Sequence, residues 1–206
     1  MSKTKNVISN SLNRTKRWPN SWHLNKNDYS MIQQQDLFLF NYIRSIIFSS
    51  NKNLEIIKIR LYRNQNLLLI DLQLVIDKNV DNLFFTNFSI SVNKVFGYKK
   101  QIFLFVNQLH YMIYSNYVAI KVAKLLEKRI KFKSKSIKVF LEKVVFFCLG
   151  MKIQCSGRLN NVDMAKVSSV SFGFMPLQSI NLNIDFSLIV ANTNVGLQCV
   201  KVWIYK

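Results

Sequence analysis

The apolar residues between Ile57 and Val95 change period once, and that change constrains the fold more than any other feature of the chain. Ile57, Ile59 and Leu61 alternate with Lys58, Arg60 and Tyr62. After the turn-tolerant Arg63-Asn64-Gln65-Asn66, Leu68, Ile70, Leu72, Leu74 and Ile76 resume the same alternation. Successive strand side chains point to opposite faces, so the pattern predicts a hairpin with one buried face. Val80, Leu83, Phe84, Phe88, Val92 and Val95 then recur at helical spacing, with Gly97 as the closing cap. A chain that switches period in this way builds a mixed fold.

The flanking segments extend the pattern. Leu37, Phe40, Ile43 and Ile47 predict a short amphipathic helix over 36–48, and Ile102 to Val106 reads as a third, buried strand. Leu109 to Lys128 reads as helix, with Leu109, Met112, Ile113, Tyr117 and Ile120 inward. A second helix starts near Ser134, its stripe formed by Ile137, Phe140, Leu141, Val144, Val145 and Cys148, with Gly150 just past its end. The last third is strand-rich: Met151 to Cys155, the alternating run Ile180 to Val190, and Val200 to Tyr205. The expected order is α-β-β-α-β, then α-α-β-(α)-β-β, an α+β fold in two small domains. The predicted divisions are a basic, aromatic arm over 1–35, a domain over 36–108 and a two-layer α/β C-terminal domain over 109–206.

Charge narrows the function. Lys and Arg number 29 against 10 acids, a net charge of +19, yet half of the chain is hydrophobic. Such a chain buries a core and still needs a polyanion beside it, either nucleic acid or an anionic membrane. No stretch reaches the roughly 18 uninterrupted apolar residues of a membrane span, and Asn107, Gln108, His110, Asn116, Lys121 and Lys124 break the best candidate. Met1 to Asn20 has no apolar core of a secretory signal. A membrane partner is therefore not expected. Cys148, Cys155 and Cys199 lack C-x-x-C spacing, and with only two histidines no metal, cofactor or small-molecule site is expected. The few acids form no catalytic constellation: Asp77 and Asp81 stand one helical turn apart with no histidine nearby. No nucleotide-binding or nuclease motif occurs, so an RNA-processing enzyme is a weak alternative, and a non-enzymatic binding protein is expected.

Two segments read as RNA contacts. In the arm, Arg14, Lys16 and Arg17 interleave with Trp18 and Trp22, cations for phosphates and rings for bases. From Lys128 to Lys138 six cations occur without an acid, and Lys131, Lys135 and Lys138 share one face if helix runs through Ser134. Several sit where a helix N-terminus disfavours positive charge, which an external polyanion would offset. In the last third Lys152, Arg158, Lys166 and Lys201 are the candidate RNA contacts, with an Arg158–Asp185 ion pair as the structural alternative for Arg158.

The final residues carry a resemblance. Ser156-Gly157-Arg158-Leu159, Ala165-Lys166, Pro176-Leu177, Ile184-Asp185 and the terminal Val200-Lys201-Val202-Trp203-Ile204-Tyr205-Lys206 resemble the C-terminal domain of the universal small-subunit ribosomal protein three family. Lys16-Arg17-Trp18-Pro19-Asn20-Ser21-Trp22 and Leu126-Glu127-Lys128-Arg129-Ile130-Lys131-Phe132 resemble its N-terminal and central segments. The resemblance implies a type II KH domain before the C-terminal domain. It implies a structural protein of the subunit head that binds small-subunit rRNA, beside ribosomal proteins of families ten and fourteen. It also implies that the face bearing Lys131, Lys133, Lys135 and Lys138 lines the channel through which mRNA enters. A KH domain grips RNA with a GxxG loop; here the loop reads Asp77-Lys78-Asn79-Val80, and no glycine precedes Gly97. A degenerate KH scaffold with a weakened RNA grip is therefore expected, which also counts against a free single-stranded-RNA regulator. Asn, Ile and Phe abound and Lys outnumbers Arg 22 to 7, the signature of A/T-rich codons. That bias points to an organelle gene, with the mitochondrial matrix expected and a chloroplast as the alternative.

Overall fold

The computed structural model describes residues 9, 11–12, 16, 18, 20–22, 26–50, 54–63, 67–76, 82–96, 101–108, 114–179 and 181–206. The chain forms two compact units. One comprises Trp18–His110; the other comprises Tyr111–Lys206 together with Met1–Arg17. The stretch expected as an arm over 1–35 is thus divided between them. Its end is also not loop, because a helix begins at Lys26.

The first unit contains β1 (Asn20–Ser21), α1 (Lys26–Ser50), β2 (Leu54–Arg63), β3 (Leu67–Ile76), α2 (Asn82–Phe96) and β4 (Gln101–Gln108). They form a four-stranded sheet in the order β1-β2-β3-β4. β2 and β3 are the antiparallel hairpin, whereas β3 and β4 run parallel across the α2 crossover. The core lies on one sheet face, where Leu61, Leu68, Ile70, Leu72 and Leu74 meet Leu39, Ile43 and Ile47 of α1 and Phe88 and Val92 of α2.

Three expectations change here. α1 is 25 residues long rather than 36–48, with Asp28 in its first turn complementing the helix dipole. Its inward stripe is Asp36, Leu39, Ile43 and Ile47, and Leu37 is 56% exposed. In β2 the alternation slips between Ile56 and Lys58, where β3 offers Leu74 and Gln73 in succession. Ile57 is the extra residue of this bulge, so Ile56 joins Ile59 and Leu61 on the core. Among the described residues β4 is an edge strand: Ile102, Leu104 and Val106 pack on the core, while Phe103 and Phe105 are exposed. A continuous apolar run mimics burial on both faces, yet this strand is buried on one. Leu83 and Phe84 lie in α2 with side chains outside the described set, as are Gly97 and the loop 77–81.

The second unit contains α3 (Ser115–Glu127), α4 (Lys135–Val145), β5 (Gly150–Gly157), a 3₁₀ turn (Leu159–Asn161), β6 (Lys166–Gly173), β7 (Ile184–Thr193) and β8 (Gly196–Tyr205). The strands form an antiparallel sheet in the order β6-β5-β8-β7. Met151, Ile153, Cys155, Val200, Val202 and Ile204 share one core with Val118, Val122, Leu126, Ile137, Leu141 and Val144 of the two helices. Leu109, Met112 and Ile113 lie outside the described residues.

Here the element expected as a third helix is strand β6. Its Val170 and Phe172 alternate inward between serines, a period of two in a β-branched segment. Gly150 does not cap α4 but opens β5. A Cβ there would stand 1.9 Å from the Phe174 carbonyl oxygen, so only glycine allows the strand to start this close to the chain after β6. The run expected from Ile180 begins as strand only at Ile184; Ile180 lies outside the described residues.

Candidate nucleic-acid interface

The turn between α3 and α4 is built to display charge. α3 ends in a Schellman-type closure: the Arg129 N–H donates to the Leu126 carbonyl at 2.9 Å and the Ile130 N–H to that of Leu125 at 3.1 Å. The residue after the cap, usually glycine, is Arg129 at φ +63°. Phe132 then drops into the core. A buried ring between two lysines forces Lys131 and Lys133 outward on either side of it. α4 is held by Ile137, Leu141 and Val144, which leaves Lys135 and Lys138 together on its solvent face. All six cations from Lys128 to Lys138 are exposed, as are the flanking Glu127 and Glu142. Helix begins only at Lys135, with Ser134 as its N-cap, so Lys131 is not on the α4 face expected for it. No acid occupies the first turn of α4. Glu127 accepts the Asn192 N–H at 3.2 Å, and Asp185 accepts the Ser115 N–H at 3.1 Å, closing the α3 N-terminus from β7.

In the sheet, Lys152 and Lys201 occupy neighbouring strands on the face opposite the helices, since Lys152 pairs with Trp203 and Gln154 with Lys201. Both are half-buried, and Lys166 at the start of β6 is exposed. Trp203, on the same face, is 2% exposed with its ring 5.3 Å from Phe186, which makes it a packing residue. Arg158 does not pair with Asp185. Its Nε donates to the Val162 carbonyl at 3.1 Å, its Nη1 reaches the Val195 carbonyl at 3.5 Å, and its Nη2 lies 3.8 Å from Asp163. The guanidinium braces the loop after β5 and keeps a half-exposed edge. Asp185 instead faces Lys206 at 3.8 Å, whose ammonium sits 4.0 Å over the Tyr114 ring. Burial lowers the Lys206 pKa from its usual value, and Asp185 opposes that shift.

The two arm tryptophans separate. Trp18 is 66% exposed. The Trp22 indole N–H donates to Asp36 Oδ2 at 2.9 Å, and the other oxygen of that buried carboxylate pairs with the Arg63 guanidinium. Trp22 thereby ties the arm to α1 and to the end of β2, with its ring 5.2 Å from Tyr29. The sequence reading missed this clamp; its signal was a charged residue at 36 in step with Leu39, Ile43 and Ile47. Lys16 donates to the Ile184 carbonyl and is half-buried. Arg14 and Arg17 lie outside the described residues.

With this arrangement in view, the relatives are informative. A family profile described as ribosomal protein S3, C-terminal domain, matches residues 122–204, from within α3 to within β8. The small ribosomal subunit protein uS3 of Wolbachia sp. subsp. Brugia malayi is 30% identical over 205 residues, covering 91% of this chain and 90% of that protein. The uS3 of Dictyoglomus turgidum is 28% identical, covering 93% of this chain and 78% of its own length. The uS3c of Guillardia theta is 26% identical, covering 98% and 93%. Alignment across both units at these identities, together with the matched C-terminal sheet, places the chain in the universal ribosomal protein S3 family.

Proposed function

We propose that this chain is a non-enzymatic structural constituent of a small ribosomal subunit, binding small-subunit rRNA and facing mRNA as it enters. The observation that carries the reading is the α3–α4 turn, where six exposed cations stand together and the buried Phe132 fixes two of them outward. Ammonium groups held out in a run that carries no acid between Glu127 and Glu142 are what a phosphate backbone requires. Lys131, Lys133, Lys135 and Lys138 are assigned to mRNA, and Lys152, Arg158, Lys166, Lys201, Lys16 and Trp18 to rRNA. Arg14 and Arg17 are assigned to rRNA from sequence alone. Trp22 contributes by holding the arm in place. The succession α1-β2-β3-α2-β4 supports a degenerate KH scaffold over 36–108, with its glycine-free loop displaced as the main RNA anchor. Neighbours in the subunit head are ribosomal proteins of families ten and fourteen. The A/T-biased composition supports a mitochondrial ribosome.

Sedimentation of the tagged chain tests this directly. Co-migration with mitochondrial small subunits through a salt wash is the expected result. A tag that remains with free RNA or free protein at the top of the gradient would overturn the assignment, and co-migration with chloroplast subunits would move its compartment.

A further inference from the structure

Behind the basic turn lies a cavity of about 270 Å³, formed where three segments of the second unit converge. The α3–α4 turn contributes Arg129, Lys131 and Phe132, the 3₁₀ turn contributes Asn160, the β7–β8 turn contributes Asn194, and β8 contributes Gln198. No acid lines it. Gln198 is 6% exposed, and its amide Nε2 donates to the Arg158 carbonyl at 2.9 Å, which fixes the side chain's orientation. Two of the lining residues, Arg129 at φ +63° and Asn160 at φ +58°, hold the left-handed backbone that side chains disfavour.

We propose that this cavity receives a single unstacked nucleotide of the rRNA that the chain binds. The inference rests on the RNA-binding reading above and adds a specific pocket to it. A nucleobase has apolar faces and edges that both donate and accept. The cavity offers the half-buried aliphatic side chains of Ile130 and Val195 for the faces and amide side chains, which carry both a donor and an acceptor, for the edges. Arg129 stands at the rim, where the nucleotide's phosphate would lie. A bare phosphate would leave the apolar walls unmatched. Glycine would form the Arg129 turn more easily, so the guanidinium at that position is explained by what it meets outside the fold.

The test uses the full chain, with small-subunit rRNA as one probe and the four nucleoside monophosphates or inorganic phosphate as the others. The nucleotides should shift the side-chain amide resonances of Asn160, Asn194 and Gln198, and inorganic phosphate alone should not. Asn194→Trp, at an exposed turn position, should fill the cavity, remove those shifts and weaken rRNA binding about tenfold. Arg129→Gly keeps a residue suited to the turn, so it should fold normally and lose a similar factor. Equal shifts from phosphate and nucleotides, or wild-type rRNA affinity in both variants, would overturn the pocket while leaving salt-sensitive rRNA binding intact. A wild-type chain with no rRNA affinity would overturn the functional reading itself, and the pocket with it.

Discussion

Asp36 shows how one residue sets the attachment of a whole segment. It is buried, paired with Arg63 and bonded to the Trp22 indole, so it links the arm, α1 and β2. Removing one partner of a buried ion pair leaves the other charge uncompensated in a low-dielectric site. Asp36→Ala should therefore cost about 3–5 kcal/mol, read as a lower urea midpoint, and should loosen the Trp22 environment in fluorescence. A midpoint equal to wild type would show that the clamp is not structural. Cys155 tests the other core. Burial, with a smaller push from Cys199, raises its thiol pKa to about 12. A raised folded-state pKa means that the stabilising contribution is complete below the ordinary thiol value of 9.0 and is lost as pH climbs toward 12. At pH 8, iodoacetamide should leave Cys155 unmodified in the folded chain and label it in urea, as mass spectrometry would record.

Among the elements, β5 and α4 make opposite demands on sequence. β5 begins where the chain after β6 leaves no room for a side chain, so Gly150→Ala should destabilise by about 1–3 kcal/mol through overpacking. Thermal unfolding of the two proteins side by side would measure it. α4 and the turn before it tolerate change on their outer side, because Phe132 and Ile137 provide the anchorage. Changing Lys131, Lys133, Lys135 and Lys138 to Gln should alter stability by less than about 0.5 kcal/mol per site. The same change should slow translation through stable mRNA stems while sparing unstructured messages. Ribosomes carrying the variant and translating both classes at wild-type rates would remove the mRNA assignment.

For the molecule as a whole, the dominant quantity is the +19 net charge. If the rRNA contact neutralises about six to ten phosphates, affinity should fall roughly 10³–10⁵-fold between 50 and 200 mM salt, through the return of released counterions. Filter binding with purified rRNA across that range would decide. A nearly flat titration would mean that shape or apolar contact, not charge, holds the complex.

The sequence alone determined the α+β class, the order of the first unit's elements from α1 to β4 but not the short β1 before them, the two helices before the C-terminal sheet and the run of outward lysines. Each is carried by residues a few positions apart, where the spacing of apolar and charged side chains directly reports the local period. Family membership was legible for the same reason, in short contiguous runs such as Ser156 to Leu159 and Val200 to Lys206. What the tertiary structure decided depends on partners distant in the chain. The bulge at Ile57 exists only against Leu74 and Gln73, and β4 is half exposed because the helices cover only the sheet face that carries Ile102, Leu104 and Val106. Arg158 braces Val162 and Val195 rather than pairing with Asp185, whose carboxylate is drawn to the start of α3. Period is a property of neighbours, whereas pairing and edge position belong to the fold, and a charge takes the partner that the fold brings within reach.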